Sequence, residues 1–443
     1  MPRPIVFISI PVLNLNYKGA RINARKSEFI MRVAHLLRKY NPREWGGTET
    51  AVKRLFDGLR HHDVDSIAYC PQIHPPAERD PFSESGFRVE RFNSFVPVAG
   101  ISAEQKQQLI SVGGNLMSFD VIWKLLNEKK ISLIHTHTHN RLGGIALTVA
   151  RLKRVPLVVT LHGGVLDLPS TAKELLQKPL RGGFEWGKIF GLPLRSRKVL
   201  QQADAIITCN KTEAALLGEK YPGKTILAQP HGVPIDEYQK DSRAKACEAF
   251  PKIVGKQLLL SVGRIDSVKN QSWLIEQAAG IFEKHPNAIL ILAGSCTEAA
   301  YGKSIEREIQ KRGLENRVIL TGGLPPGDPR LIGLFQEAKV LLLPSLYETF
   351  GLVILESWAA GTPVISTRTS GALELVKDKE NGWFFDLQKP NEFHASVNAA
   401  LENPSATKQM GLAGHQLVKS SYDTNVLATR VKKLYENLIE EKR

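Results

Sequence analysis

Several common signatures are missing from this 443-residue chain. Its four cysteines (Cys70, Cys209, Cys247 and Cys296) lie far apart with no paired spacing. Neither a disulfide framework nor a zinc knuckle is therefore indicated. No apolar run approaches the ~18 residues of a membrane-spanning helix. Residues 5–13, Ile-Val-Phe-Ile-Ser-Ile-Pro-Val-Leu, have the apolarity of a signal-peptide core but lack a small-residue cleavage site. They fit a buried first strand better. Neither Gly-x-Gly-x-x-Gly nor the Walker pattern closes any expected strand, so hydride transfer and P-loop hydrolysis lose ground. Low-complexity segments and short repeats are also lacking. A cytoplasmic enzyme is the expectation that remains.

What is present has the composition of a soluble globular protein, with 42% apolar and 23% charged residues. The length is too great for one comfortable core and suggests two domains. Short β-branched runs at 5–10, 66–69, 133–137, 157–161 and 205–208 alternate with helical patterns such as 50–61 and 141–152. The alternation restarts at 258–262, 288–293, 317–320, 340–343 and 363–366. This is the pattern of doubly wound parallel sheets. The expected architecture is α/β: two Rossmann-like domains facing each other across a cleft. Residues 1–236 form the first, 237–256 a polar linker and 257–424 the second. A last helix over 425–443 has Val426, Leu427, Val431, Leu434, Tyr435 and Leu438 on one face and could cross between domains.

Charge is unevenly divided. Residues 1–235 hold 33 basic against 19 acidic side chains, a net +14 of the whole chain's +15. Such asymmetry points to an anionic partner or to a solvated basic face. Within it, 17–43 carries eight cations against Glu28, with Phe29, Val33, Leu36 and Tyr40 at helical spacing. A basic amphipathic helix is expected there. A second basic stretch, 173–198, interleaves Phe184, Trp186 and Phe190. Both suit an anionic acceptor or the inner face of a membrane, to which the protein would be peripheral. No recognised nucleic-acid module accompanies them.

Ligands of parallel sheets bind beyond the carboxyl ends of the strands. There, Gly263, Arg264 and Lys269 follow the second domain's first strand, and two cations beside a glycine suit a diphosphate. Glu348 precedes a helix expected to start near Leu352, and Glu356 follows on the helix itself. Backbone N–H groups at such a helix start face anions. By themselves, these cations and acids are also compatible with solvated loop residues and a helix cap. In the first half, His135, His137 and His139 alternate at a strand end, so all three would share one side of an extended strand.

Glu348-x7-Glu356 within Pro-Ser-Leu-Tyr-Glu-x-Phe-Gly, with Gly-Arg-x4-Lys upstream, strongly resembles the retaining glycosyltransferases of family 4, which have the GT-B fold. Trp45-Gly46-Gly47-Thr48-Glu49, Thr160-Leu161-His162-Gly163, the segment 230–235, and Gly371, Glu374, Asn381 and Gly382 match further family elements in order. The resemblance implies a nucleotide-sugar donor whose diphosphate meets Arg264 and Lys269. Backbone groups of Phe350, Gly351 and Leu352 would add to these. It further implies Glu348 on the donor sugar, Glu356 on the ribose, Gly323 and Leu324 near the base, and Gly47 beside the phosphate. His162 would lie near the reacting centre. His135, His137 and Trp186 are candidates for the acceptor side. No metal and no cofactor are implied, and the departing diphosphate would be stabilised by preorganised charge.

Asp63-Val64-Asp65 precedes a strand and reads as a surface turn. Two departures from the family stand out: some thirty residues between the first strand and Gly46, and no lysine in Glu44-Trp45-Gly46-Gly47. The second lowers polysaccharide elongation. Nucleotide-sugar 2-epimerases and catalytically silent binding proteins share the fold and are the competing classes.

Overall fold

The computed structural model describes residues 31–42, 45–73, 79–111, 116–162, 184, 186–191 and 194–443. The strand expected at 5–10 and most of the two basic stretches (17–30 and 173–183) lie outside them. The described residues separate into two compact units. One holds those up to 42, those of Leu59–Ala228 and Lys432–Arg443; the other holds 45–58 and Gln229–Val431.

Among the described residues the first unit contains a seven-stranded parallel sheet in the order β3-β2-β1-β4-β5-β6-β7. Its strands are β1 (Met31–Leu36), β2 (Val64–Pro71), β3 (Arg88–Phe92), β4 (Ile131–Thr136), β5 (Leu157–Leu161), β6 (Ala205–Thr208) and β7 (Thr225–Ala228). Ile67, Ile134, Val159 and Ile206 from the strands meet Ile145, Ala146 and Val149 of the helix Arg141–Lys153 in its core. The second unit contains a six-stranded parallel sheet in the order β10-β9-β8-β11-β12-β13. These strands are β8 (Gln257–Val262), β9 (Ala288–Ala293), β10 (Val318–Gly322), β11 (Val340–Leu343), β12 (Val364–Thr367) and β13 (Gly382–Phe385). Leu259, Leu290 and Leu342 pack there against Leu274, Ala278 and Val397 from flanking helices. Crossovers through helices place consecutive parallel strands side by side, giving the expected doubly wound pattern twice.

Three expectations are corrected. Residues 31–36, expected within a basic amphipathic helix, are the central strand β1, paired in parallel with β2 and β4. Val33, Ala34, His35 and Leu36 are all buried, as a strand covered on both faces requires. Arg32 and the buried His35 interrupt the apolar run and disguise it. Arg32 is satisfied by Asp65 at 2.7 Å and Glu128 at 3.2 Å. The supposed thirty-residue insertion before Gly46 therefore shrinks to the short connection from Leu36. The stretch 237–256 is not a linker either. It folds into the helices Ile235–Gln239 and Arg243–Ala249 and a 3₁₀ turn, Pro251–Ile253, within the second unit. Gly333 sits so close to it that a Cβ would lie 2.2 Å from the Ser242 carbonyl oxygen. Lastly, β4 ends at Thr136, so the three alternating histidines do not share one strand.

Asp63, at φ 59°, turns the chain into β2. The last helix runs from Thr424 to Lys442 with Leu427, Ala428, Val431, Tyr435 and Leu438 buried and Val426 exposed. No helix among the described residues is long and apolar enough to cross a membrane.

Candidate functional site

In the second unit, two strand-to-helix loops meet at the carboxyl edge of the sheet. The first leaves β8 at Gly263, whose N–H donates to Ala293 O at 2.9 Å. It crosses the end of β9 so closely that a Cβ on Gly294 would lie 1.9 Å from Gly263 O. Asp266, which was not singled out in the sequence, organises this loop. Its buried carboxylate accepts from Lys269 N at 3.0 Å and pairs with Arg264 at 3.1 Å. Gln271 Nε2 donates to Arg264 O at 2.7 Å. Asn270 takes the left-handed conformation, φ 58°, that starts the helix Gln271–Lys284, a region an Asn tolerates better than most residues. The Arg264 side chain remains half exposed, at 53%.

The second loop leaves β11 and ends at Gly351, where φ of +88° opens the helix Leu352–Ala359 with no side-chain cap. Glycine adopts this geometry without steric cost. Leu346 N donates to Val268 O at 2.8 Å and Asn270 Nδ2 to Pro344 O at 3.3 Å, tying the two loops together. Their meeting brings Lys269 Nζ onto Glu348 Oε2 as an ion pair, each side chain 20% exposed. Glu348 is further fixed through its carbonyl, which accepts from Gly371 N at 2.9 Å and Ser370 Oγ at 3.0 Å. Phe350 is buried and meets His231 edge-on at 5.0 Å. Burial, reinforced by the Arg54 charge, pulls the His231 imidazole down to about 4.

Glu356 points inward rather than outward. It is buried and pairs with Arg54 Nη2 at 2.5 Å. Arg54 also donates to Gly232 O at 3.2 Å and meets Tyr238 Oη at 3.3 Å. Burial alone would lower the guanidinium, yet the Glu356 carboxylate holds it above its ordinary value. Burial pushes the Tyr238 hydroxyl well up, and Glu356 adds to this. Gly47, at the start of its helix, lies against Leu352: a Cβ there would be 3.7 Å from Leu352 Cδ1. Gly323 follows β10 and is exposed beside Ser295, and Leu324 is half-buried. Arg264, Lys269, Glu348, Phe350, Gly351 and Leu352 thus come together. Arg54 is a further residue that the sequence reading missed; helix periodicity alone does not mark it as buried.

The histidines belong to the first unit. His135 is fully buried, with Nδ1 2.6 Å from Tyr435 Oη and Nε2 2.6 Å from Thr160 Oγ1. His137 bridges two rings, at 3.1 Å from His35 Nδ1 and 3.0 Å from His162 Nε2. Burial first, then neighbouring histidines, push the His35 and His135 imidazoles well below their ordinary range. His35, His135 and His137 hold nitrogens within 4.8 Å of one another, a spacing that could accommodate a metal ion. His162 Nε2 is turned toward His137, and Gly163 beside it lies outside the described residues. Trp186 stacks on Phe95 at 5.9 Å in the 3₁₀ helix Trp186–Gly191.

Residues 243–417 match the family of glycosyl transferases group 1, and residues 46–226 match the glycosyl transferase 4-like domain. Together they cover most of the chain. The chain belongs to the group 1 glycosyltransferases. It is an enzyme of the glycosyltransferase class. It is 26% identical over 430 residues to a D-inositol 3-phosphate glycosyltransferase of Corynebacterium jeikeium, covering 92% of this chain and 97% of that one. A protein of the same name from Arthrobacter is 29% identical over 284 residues, 62% of this chain and 64% of that relative. The crystal structure of Anabaena HepE in complex with UDP-glucose superimposes with a TM-score of 0.68 at 19% identity, covering 92% of this chain and all of that one. At that identity the likeness speaks for the fold, which is GT-B.

Proposed function

We propose that this glycosyltransferase transfers a sugar, with retention and without a metal, from a nucleotide-sugar donor to a hydroxyl of a phosphate-bearing acceptor. The observation that carries the reading is the convergence of Arg264, Lys269, Glu348 and the uncapped helix start at Gly351 on one edge of the second sheet. A diphosphate would compete with Glu348 for the Lys269 ammonium. Arg264, half exposed, would bind it through two N–H groups. The N–H groups at Leu352 would add the positive end of the helix dipole. Charge accumulating on the leaving group would then meet donors already in place, which is why the reading needs no divalent ion. Drawn off Lys269, Glu348 would be free to accept hydrogen bonds from the sugar's hydroxyls.

Three further roles are proposed. Glu356 would reach the ribose from its partner Arg54, Gly323 and Leu324 would lie by the base, and His162 of the first unit would act on the sugar. UDP-sugars are the favoured donors, supported by the UDP-glucose bound in the HepE structure. A phosphorylated acceptor is supported by the inositol phosphate in the relatives' names and by the +14 charge of residues 1–235.

The test is thermal unfolding with UDP-, GDP- and ADP-sugars, followed by transfer assays with inositol phosphates. A ligand at a hundred times its Kd stabilises by about 2.7 kcal/mol. If no nucleotide sugar raises the unfolding temperature, the donor reading fails. If a donor binds but only phosphate-free acceptors react, the acceptor reading fails alone.

A further inference from the structure

Three large aromatic side chains stand exposed among the described residues: Phe119 at 44%, Trp123 at 67% and Phe184 at 72%. All three belong to one surface of the first unit. The Phe119 ring lies 5.8 Å from Phe95, and Phe95 stacks on Trp186 at 5.9 Å and 13°. Phe184 exchanges backbone hydrogen bonds of 2.8 and 2.9 Å with Ala99, two residues before Trp186. Trp123 lies one turn beyond Phe119, on the helix Asp120–Asn127. Ile189, within the turn Trp186–Gly191, is 72% exposed. The same unit buries Tyr69, Phe82 and Phe92 almost completely, so exposure is not the rule for its rings. Scattered single apolar side chains need no explanation, but a joined strip does.

Cations flank the strip. A Cβ on Gly187 would lie 3.1 Å from the Arg141 guanidinium carbon, and one on Gly144 would lie 2.5 Å from Leu194 O and 2.8 Å from Ser196 Cα. The aromatic turn and the turn at Ser196–Lys198 therefore pack on the first turn of the same helix, Arg141–Lys153. Arg195, Arg197 and Lys198 are all exposed there. Lys124 follows Trp123 on its helix. A strip of rings edged by cations, in a half-chain of net charge +14, matches the amphipathic headgroup layer of a bilayer better than a neutral protein face.

We infer that this strip docks the protein on an anionic phospholipid surface. Trp123, Phe119, Phe184 and Ile189 enter the headgroup layer while Arg195, Arg197 and Lys198 meet lipid phosphates. The inference is independent of the donor chemistry, since vesicle binding requires no turnover. It also does not use the basic segments 17–30 and 173–183.

Co-sedimentation of the full chain tests it, using vesicles of phosphatidylcholine alone and of phosphatidylcholine mixed with phosphatidylglycerol. Binding to the mixed vesicles is expected, with a blue-shifted tryptophan emission and loss of binding in high salt. Trp123→Ser and Phe184→Ser should each weaken partitioning roughly tenfold, whereas Trp123→Phe should bind as the parent does. All three are surface changes, so unfolding temperature and the shift produced by UDP should stay unchanged. Absence of binding to anionic vesicles overturns the inference. So does binding that Trp123→Ser and Phe184→Ser leave intact. Concentration-dependent dimerisation abolished by Trp123→Ser would assign the strip to a second copy of the chain and overturn it likewise.

Discussion

A single methyl group at Gly371 would probe whether the loop carrying Glu348 must sit where it does. Gly371 lies in the helix Ser370–Leu375, and its N–H holds the Glu348 carbonyl at 2.9 Å. A Cβ there would lie 2.6 Å from both N and C of Phe350 and 2.7 Å from its Cα. All three are backbone atoms, so no side chain can rotate out of the way. Carbon contacts are comfortable at ~3.5–4.0 Å, which leaves a deficit of about 1 Å for the backbone to absorb. The segment that must move runs from Glu348 to Gly351 and carries both the carboxylate and the helix start. Misplacing reacting groups by that distance costs about a hundredfold in rate, while overpacking costs ~1–3 kcal/mol of stability. Gly371→Ala is therefore expected to fold, with kcat/KM about a hundredfold lower and UDP bound more weakly. Ile305→Val is the control. Ile305 is fully buried in the second unit's core, and losing one methyl costs ~0.5–1.5 kcal/mol without pressing on the loop. The assay is nucleoside-diphosphate release in the presence of acceptor, normalised to folded protein. If Gly371→Ala loses stability as Ile305→Val does but keeps its kcat/KM, the geometric argument for the 348–351 loop is wrong.

Lys269→Ala and Glu348→Ala should each lower kcat by ~10²–10³ with little change in unfolding temperature, and near-normal turnover in both would remove the site assignment. Arg54→Met strands a buried Glu356 carboxylate and should cost ~3–5 kcal/mol in urea unfolding, whereas Arg54→Met combined with Glu356→Leu should recover most of it. Strict additivity of the two changes would show that the pair does not act as a unit. His35, His135 and His231 are held neutral by burial, so the unfolded chain binds their protons more readily. Stability is therefore full above the ordinary imidazole value of 6.5 and falls as pH drops below it. For His231 the loss runs from 6.5 down to about 4, on the order of 3 kcal/mol. His231→Asn should flatten that part of the acid-unfolding curve, and an unchanged slope would contradict the assignment. Excess EDTA should leave transfer at full rate; loss of activity restored by a divalent ion would reinstate a metal.

Interior strands were readable in the sequence wherever both faces are apolar. Residues 157–161, 205–208, 288–293 and 340–343 are strands at the bounds expected of them. β3, β7 and β13 were missed because they lie outermost or follow a turn, and β3 and β7 carry mixed, half-exposed residues. Half-exposed edge strands such as β3 and β7 bury too little to leave an apolar run. β1 failed for the opposite reason. It is fully interior, but it includes His35, and an imidazole hidden inside a sheet cannot be told from a solvated one by composition. The same residue changes the meaning of the histidines after it. His135 and His137 looked like a row presented along one strand. In the fold, His35 on the neighbouring strand and His162 near the next turn His137 into a bridge, while Thr160 and Tyr435 take up His135. No spacing rule could supply partners 25 to 300 residues away. The Gly-Arg-x4-Lys and Glu-x7-Glu patterns were legible because each lies within one strand-to-helix loop and its helix, where sequence distance and spatial distance coincide. What supports each from behind, Asp266 beneath one loop and Arg54 behind the other's helix, is burial of charge that the patterns do not show. Such charges have to be paired wherever they are buried, which makes Arg54 and Asp266 the residues to vary next if the loops are to be moved without touching the donor contacts themselves.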